Sequence, residues 1–302
     1  MTERANMSKP DLLELVGQRA VFGDGGMGTQ LMAAGLQPGQ PCELWNVDKP
    51  DVVADIHRRY REAGCELITT NTFGGTCISL ANHNLAERTG ELNEAAGKVA
   101  RQGAGDDAII LADAGPFGGF IEPLGETTLE ELVDIFAEQF AALKAGGADV
   151  ALVETMSDPG ELAGAVRAAK QVGNWPVIAT YAFQHAGDSF ATMMGTSVDT
   201  AMKAAIDAGA DIIGSNCGTN LSLDDYLRLA GELVKAAGDV PVILQPNAGA
   251  PEHRDGKLHH PASPADMAAM VQKYLDAGVR VLGGCCGTTP EHLKAMAEAF
   301  QS

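Results

Sequence analysis

Ala63-Gly64-Cys65-Glu66-Leu67-Ile68, Ala145-Gly146-Gly147-Ala148-Asp149-Val150, Ala208-Gly209-Ala210-Asp211-Ile212-Ile213 and Ala277-Gly278-Val279-Arg280-Val281-Leu282 are four versions of one phrase. In each, a helical stretch ends on alanine, glycine follows, and an apolar run begins. Glycine just past a helix adopts the left-handed C-terminal cap that turns the chain into the next element. Working outward, eight apolar runs of strand length recur: AVFGD from Ala20, ELITTN from Glu66, AIILAD from Ala108, DVALVE from Asp149, PVIATY from Pro176, DIIGSN from Asp211, VPVILQP from Val240 and VRVLGG from Val279. Stretches of helical periodicity such as DVVADIHRRYREAG and SPADMAAMVQKYLDAG separate them. Eight strand-helix units with strands apolar on both faces predict an α/β fold, a single (β/α)8 TIM barrel, in place of an open sheet. The expected division is an N-terminal arm over residues 1–17, packed outside, and a barrel over residues 18–302.

Such barrels place their chemistry at the C-terminal ends of the strands. Here those ends read GDGGMGT, TNTFGGT, ADAGP, VETMSD, TYAFQ, SNCGTN, QPNAGAP and GGCCGTT, all polar or reactive. The composition narrows what they can do. Hydrophobic residues make up 45% of the 302 positions, enough for a large core, and the formal net charge is −19. That charge argues against nucleic acid and anionic lipid partners. No basic leader precedes an apolar core and no run reaches the length of a membrane span, so a soluble cytoplasmic protein is the expectation.

The six cysteines include the adjacent pair Cys285 and Cys286, a poor disulfide framework and a plausible thiolate cluster. Cys217 ends the sixth run and the pair ends the eighth, so all three point to one mouth. Three protein thiolates with a free fourth position match a catalytic zinc site, and the glycines of GGCCG permit the irregular loop that lets neighbouring cysteines share an ion. A zinc ion so ligated suits a fourth, soft sulfur ligand, and coordination deprotonates a thiol. The expected reaction is attack by a substrate thiolate on an electrophilic carbon. The bland alternative makes Cys217 a small core residue and the pair a coincidence. Cys42, Cys65 and Cys77 lack the setting and are expected to be structural.

GDGGMGTQL, TNTFGGT, VET, SNCG, QPNAG and GGCCGTTPEH, in this order, resemble the homocysteine S-methyltransferase family, which includes betaine and S-methylmethionine enzymes and the N-terminal module of cobalamin-dependent methionine synthase. The resemblance spans about residues 20–300. It implies Zn2+ on Cys217, Cys285 and Cys286, which are also the catalytic residues, and homocysteine as methyl acceptor. The donor stays open between a betaine-like or sulfonium compound and methylcobalamin on a separate corrinoid-binding protein. Betaine enzymes carry a tyrosine after the phenylalanine of TNTFGGT, where this chain has Gly74, which weakens an assignment to betaine. The long extensions of betaine enzymes and of full methionine synthases do not follow Cys286 within this sequence.

The other candidates serve substrate binding. Asp24 and Glu154 are two carboxylates suited to the ammonium group of an amino acid, and the resemblance implies the same. The Gly25 and Gly26 amides suit its carboxylate. The bland alternatives are a turn cap for Asp24 and a neighbouring cation for Glu154. Asn71, Thr72 and Phe73 are expected to shape the pocket near the donor, and Asn216 and Asn247 to orient loops or substrate. Trp45 offers a cation-π face to an onium donor or packs a loop. His259 and His260 read as surface or lid residues of open role, and Met193 and Met194 as gap fillers in preference to lining the mouth. Two other classes compete: a zinc-dependent barrel hydrolase or lyase, needing a metal-bound water and a base, and a non-catalytic zinc-binding or redox-sensing barrel.

Overall fold

The computed structural model describes residues 11–254 and 257–300. All eight runs are strands: β1 (Val21–Phe22), β2 (Leu67–Thr69), β3 (Ile109–Ala114), β4 (Val150–Met156), β5 (Val177–Tyr181), β6 (Ile212–Asn216), β7 (Val242–Gln245) and β8 (Val279–Leu282). They form one parallel sheet in sequential order, with β1 beside β8. A parallel bridge between Gly23 and Leu67, with the Glu66 amide donating to the Phe22 carbonyl at 2.7 Å, brings β1 to β2 and closes the barrel.

Helix α1 (Leu12–Gln18) precedes β1; α2 (Pro50–Glu62), α3 (Thr89–Ala104), α4 (Leu129–Ala145), α5 (Pro159–Val172), α6 (Val198–Asp207), α7 (Leu223–Ala237), α8 (Pro264–Asp276) and α9 (Pro290–Phe300) follow the strands in turn. Two antiparallel hairpins, Phe183–Ala186 with Ser189–Thr192 and Glu252–Arg254 with Lys257–His259, extend the loops after β5 and β7.

The repeated phrase has a repeated structure. Gly64, Gly147, Gly209 and Gly278 take φ of 104°, 93°, 90° and 105°, where an L side chain is strained. The residue after the first three closes a Schellman cap: the Cys65, Ala148 and Ala210 amides donate to Tyr60, Leu143 and Ala205 carbonyls. The acid that comes next sets register. Glu66, Asp149 and Asp211 accept the backbone amides of Phe22, Ile110 and Val177 in the preceding strands, and they pair with Arg19, Arg101 and Lys170. The fourth copy has Arg280 in this region and lacks the acid.

Alternation along the strands separates two apolar clusters. Val21, Leu67, Ile109, Leu111, Val150, Leu152, Ile178, Ile212, Ile243 and Val281 fill the barrel interior, while Ile110, Ala112, Val153, Ala179, Ile213 and Leu244 face the helices. Leu12 and Val16 of α1 belong to the interior cluster, so this helix plugs the end from which the strands start and does not pack outside the barrel, as the sequence suggested. Residues 1–10 of the expected arm lie outside the described residues.

His57 sits on α2 at 0% exposure, and neither ring nitrogen has a partner. Burial pushes its pKa down from 6.5 to about 3. Between those values the unfolded chain holds a proton that the folded chain refuses, so stability is lost as pH falls below 6.5. His57→Leu is therefore expected to gain about 2 kcal/mol over the parent at pH 5 beyond any gain at pH 7.5, from the roughly 1.5 pH units of linkage removed. Urea denaturation of both proteins at the two pH values measures this; an equal difference at both would contradict it.

Candidate active site

The inward pattern of the strands changes character at its last step. Above Leu67 stands Thr69, above Leu111 Asp113, above Leu152 Glu154, above Ile178 Thr180, above Ile243 Gln245, and Asn216 ends β6. A polar layer thus rests on an apolar one, and the thiols stand at its edge. Cys217, Cys285 and Cys286 are the only group of three His, Cys, Asp or Glu ligand atoms within 4.8 Å of one another among the described residues.

Backbone geometry brings them together. Cys217 follows β6 in the left-handed region at φ 53°, and Gly218 follows at φ 116°. The Cys217 amide donates to Gln245 O and the Cys285 amide to Pro246 O, tying both loops to the end of β7. Asn247 completes the tie, its Oδ1 accepting from the Cys286 amide at 3.0 Å and its Nδ2 donating to Gly218 O at 3.2 Å. Tyr226 donates to Cys217 O at 2.5 Å.

Cys217 Sγ and Cys286 Sγ are 3.8 Å apart. Tetrahedral zinc with Zn–S bonds of about 2.3 Å requires sulfurs about 3.8 Å apart, so the donor set and its spacing fit zinc. Hydrogen bonds from Cys285 and then Cys286 hold the Cys217 thiol far below its ordinary range, while the same contacts with Cys217 push the other two up. The cluster is poised to lose its first proton readily.

Asn216 connects the sulfurs to the acids. Its Nδ2 donates to Glu154 Oε2 at 3.0 Å and to Cys285 Sγ at 3.9 Å, and its Oδ1 accepts from Thr180 Oγ1 at 2.6 Å and the Thr155 amide at 2.8 Å. Thr155 takes φ 61°, a second left-handed residue at this rim. Burial, with the charge of Cys217 next, pushes Glu154 up to about 8.

Asp24 is 2% exposed and already engaged: its Oδ2 accepts the Thr69 amide at 2.8 Å and its Oδ1 the Thr69 hydroxyl at 2.7 Å. Burial raises its pKa to about 7. Its first task is to join β1 to β2.

Several expectations change because hydrogen-bonding capacity is used elsewhere. The Gly26 amide donates to Thr288 Oγ1 at 3.0 Å and is not free for a substrate carboxylate. A Cβ on Gly25 would lie 2.5 Å from Thr288 Oγ1, and one on Gly26 2.7 Å from Cys285 O, so both glycines are needed for the close approach of the cysteine loop. Asn71 Nδ2 donates to Cys42 O and Asn46 Oδ1, which ties down its loop. Thr72 donates to Asp113 O. Trp45 is buried, and Lys49 Nζ sits 3.7 Å from its ring centroid, which takes the face offered to an onium.

Phe73 remains at the surface with its ring against Gly115. Met193 and Met194 are exposed, so they fill no gap. His260 packs on Gly287 with Nδ1 3.2 Å from Gly249 O, and His259 is exposed. Burial pushes the Cys42 thiol up to about 11, and Cys65 is fully buried.

Two acids in this region escaped sequence reading: Glu43, whose Oε1 accepts the Gly74 amide at 2.8 Å, and Asp113. The period-two series Ile109, Leu111, Asp113 carried the signal for the second.

The family model for homocysteine S-methyltransferase matches residues 21–300. The chain belongs to the homocysteine S-methyltransferase family. Methionine synthase of Mycobacterium leprae is 35% identical over 308 aligned positions, covering 96% of this chain and 25% of the relative. Methionine synthase of Mycobacterium tuberculosis is 33% identical with the same coverage. The chain therefore spans about a quarter of the length of these curated relatives. The metallated form of the homocysteine methyltransferase MmuM from Escherichia coli matches with a TM-score of 0.71 at 21% identity, over 93% of this chain and 96% of that one. That likeness establishes the barrel. Among the described residues no helix is long and apolar enough to cross a membrane.

Proposed function

We propose that the protein transfers a methyl group to the sulfur of homocysteine, with zinc held by Cys217, Cys285 and Cys286. The observation that carries this reading is the joining of the three clustered thiols to Glu154 through the single side chain of Asn216. An amino acid bearing a thiol matches that pair of features: sulfur toward the cysteines, ammonium toward the carboxylates. Zinc bound here would keep the substrate thiol deprotonated at neutral pH. The remaining work falls to the chain. Asn216 and Asn247 fix the two cysteine loops, the acid layer seats the ammonium, and the apolar layer beneath excludes water. In the transfer the sulfur lone pair forms the new S–CH3 bond while the donor-to-methyl bond breaks, its electron pair leaving with the donor. The thiol proton goes to solvent on binding.

The donor we favour is methylcobalamin on a separate corrinoid protein. Phe73, Ile78, Phe120, Leu124, Met193 and Met194 are exposed large apolar residues in the connections after β2, β3 and β5, Ile78 on the short helix Cys77–Ala81, a rim suited to contact with a macromolecule. The acidic layer favours a second reading, a small betaine-like or sulfonium donor. Three thiolates leave little Lewis acidity toward water, which opposes a hydrolase or lyase. The test is methionine formation by zinc-loaded protein from homocysteine with methylcobalamin, betaine or S-methylmethionine, with and without a corrinoid protein. Absence of methionine with every donor, in protein that holds zinc, would sink the methyltransferase reading.

A further inference from the structure

Four of the exposed apolar residues at the rim, Phe73 and Ile78 after β2 and Phe120 and Leu124 after β3, stand on two connections that are bolted together at a buried residue, Phe117. The Phe117 carbonyl accepts from Thr76 Oγ1 at 2.8 Å and Ser79 Oγ at 3.2 Å, at the start of the short helix that carries Ile78. Gly118 permits this approach, since a Cβ there would lie 2.5 Å from Ser79 Oγ. A second tie, from the Gly115 amide to Phe73 O at 3.0 Å, makes the two connections one body.

Helix α5 holds that body through a carboxylate. Glu161 Oε1 accepts the Phe117 amide at 2.8 Å, and the residue is 9% exposed. The other charge that bears on it, that of Asp158, has the same sign. A carboxylate buried without a cation is costly, and a buried amide beyond the end of a strand must find an acceptor. The Glu161–Phe117 bond answers the second need at the expense of the first. No step of methyl transfer uses Glu161.

We propose that Glu161 is a positioning residue for the methyl donor: through Phe117 it holds the connections after β2 and β3 as one preformed rim. The inference rests on the methylcobalamin reading, because a corrin is broad enough to touch both connections while a small onium passes between them to the floor. A preformed rim loses little freedom when the large donor docks, which tightens its binding. Without the carboxylate the Phe117 amide is buried with no acceptor, and the two connections loosen together.

The experiment measures KM and kcat of zinc-loaded parent, Glu161→Ala and Glu161→Gln with free methylcobalamin and with S-methylmethionine, at saturating homocysteine. Glu161→Ala is expected to raise KM for methylcobalamin about tenfold, with kcat, zinc content and KM for S-methylmethionine held within about twofold. Glu161→Gln keeps an acceptor oxygen and should restore the parent KM. Glu161→Asp, whose carboxylate is one methylene short of the amide, serves where the alanine variant does not fold. Amide hydrogen exchange reads the same bond without any donor: residues 73–79 and 115–125 should exchange faster together in Glu161→Ala and as in the parent in Glu161→Gln. An unchanged KM for methylcobalamin in Glu161→Ala, a glutamine variant that fails to restore it, or faster exchange in one connection alone overturns the proposal. A parent that uses S-methylmethionine and not methylcobalamin overturns it as well. Methionine from neither donor is a distinct result that sinks the homocysteine reading, and unchanged exchange in Glu161→Ala would then overturn the anchoring role by itself.

Discussion

Cys217→Ala is expected to strip the protein of nearly all its zinc and to lower methyl transfer by more than about 100-fold. Loss of an outer partner of a metal ligand typically costs about 10- to 100-fold in affinity or activity, and here a ligand itself is removed. The two thiols that remain, Cys285 and Cys286, are neighbours on one loop, so the substitution removes the ligand that ties this loop to the end of β6. Elemental analysis after dialysis measures the metal. Cys42→Ala supplies the control, since the hydrogen bond from Asn71 reaches only the Cys42 carbonyl and survives the change. Full zinc occupancy in Cys217→Ala, or equal zinc loss in Cys42→Ala, would remove the three-cysteine site from the mechanism.

Gly214→Ala is expected to be the most damaging small substitution in the barrel wall. Gly214 lies in β6 between β5 and β7, and a Cβ there would stand 1.9 Å from the backbone carbonyl oxygen of Ile243. The obstacle is main chain held in a parallel ladder, so relief requires strands to separate. A cost above about 3 kcal/mol follows from overpacking of this kind. Asn216 is two residues further along, so whatever protein folds should also bind zinc poorly. Gly231 on α7 offers the contrast: a Cβ there meets nothing within 4 Å, and Gly231→Ala should stabilise by about 0.5 to 1 kcal/mol. Chemical denaturation of the two variants decides the matter. Near-equal stabilities would show that the wall yields more easily than its geometry indicates.

The architecture was legible because it is written in repeats and periods. The four Ala-Gly phrases mark helix ends through a backbone demand that only glycine meets cheaply, and the apolar runs give all eight strands. The thiol cluster was legible because adjacent cysteines after a glycine pair have few structural uses. What stayed hidden depends on which groups find each other across distant loops. Asn71, Gly26 and Trp45 have residue types suited to ligands, yet Cys42 and Asn46, Thr288 and Lys49 claim their donors or faces first. Asp24 is claimed in the same way by Thr69. Asp113 ran the other way: the short ADAGP segment gave no sign that an acid there would keep a buried oxygen without a donor.

The packing of α1 against the interior layers bears on the order of events in turnover. Leu12 and Val16 close one end of the barrel, and the apolar layers fill the space up to the acids, which leaves the loop-lined mouth as the route for acceptor, donor and both products. On the proposed function, the acceptor sits against the acids at the floor and the donor meets the rim. A donor that arrives first shuts the door on an empty chamber. Turnover should therefore follow a compulsory sequence, acceptor before donor and spent donor before methionine, and an excess of donor should inhibit competitively against homocysteine.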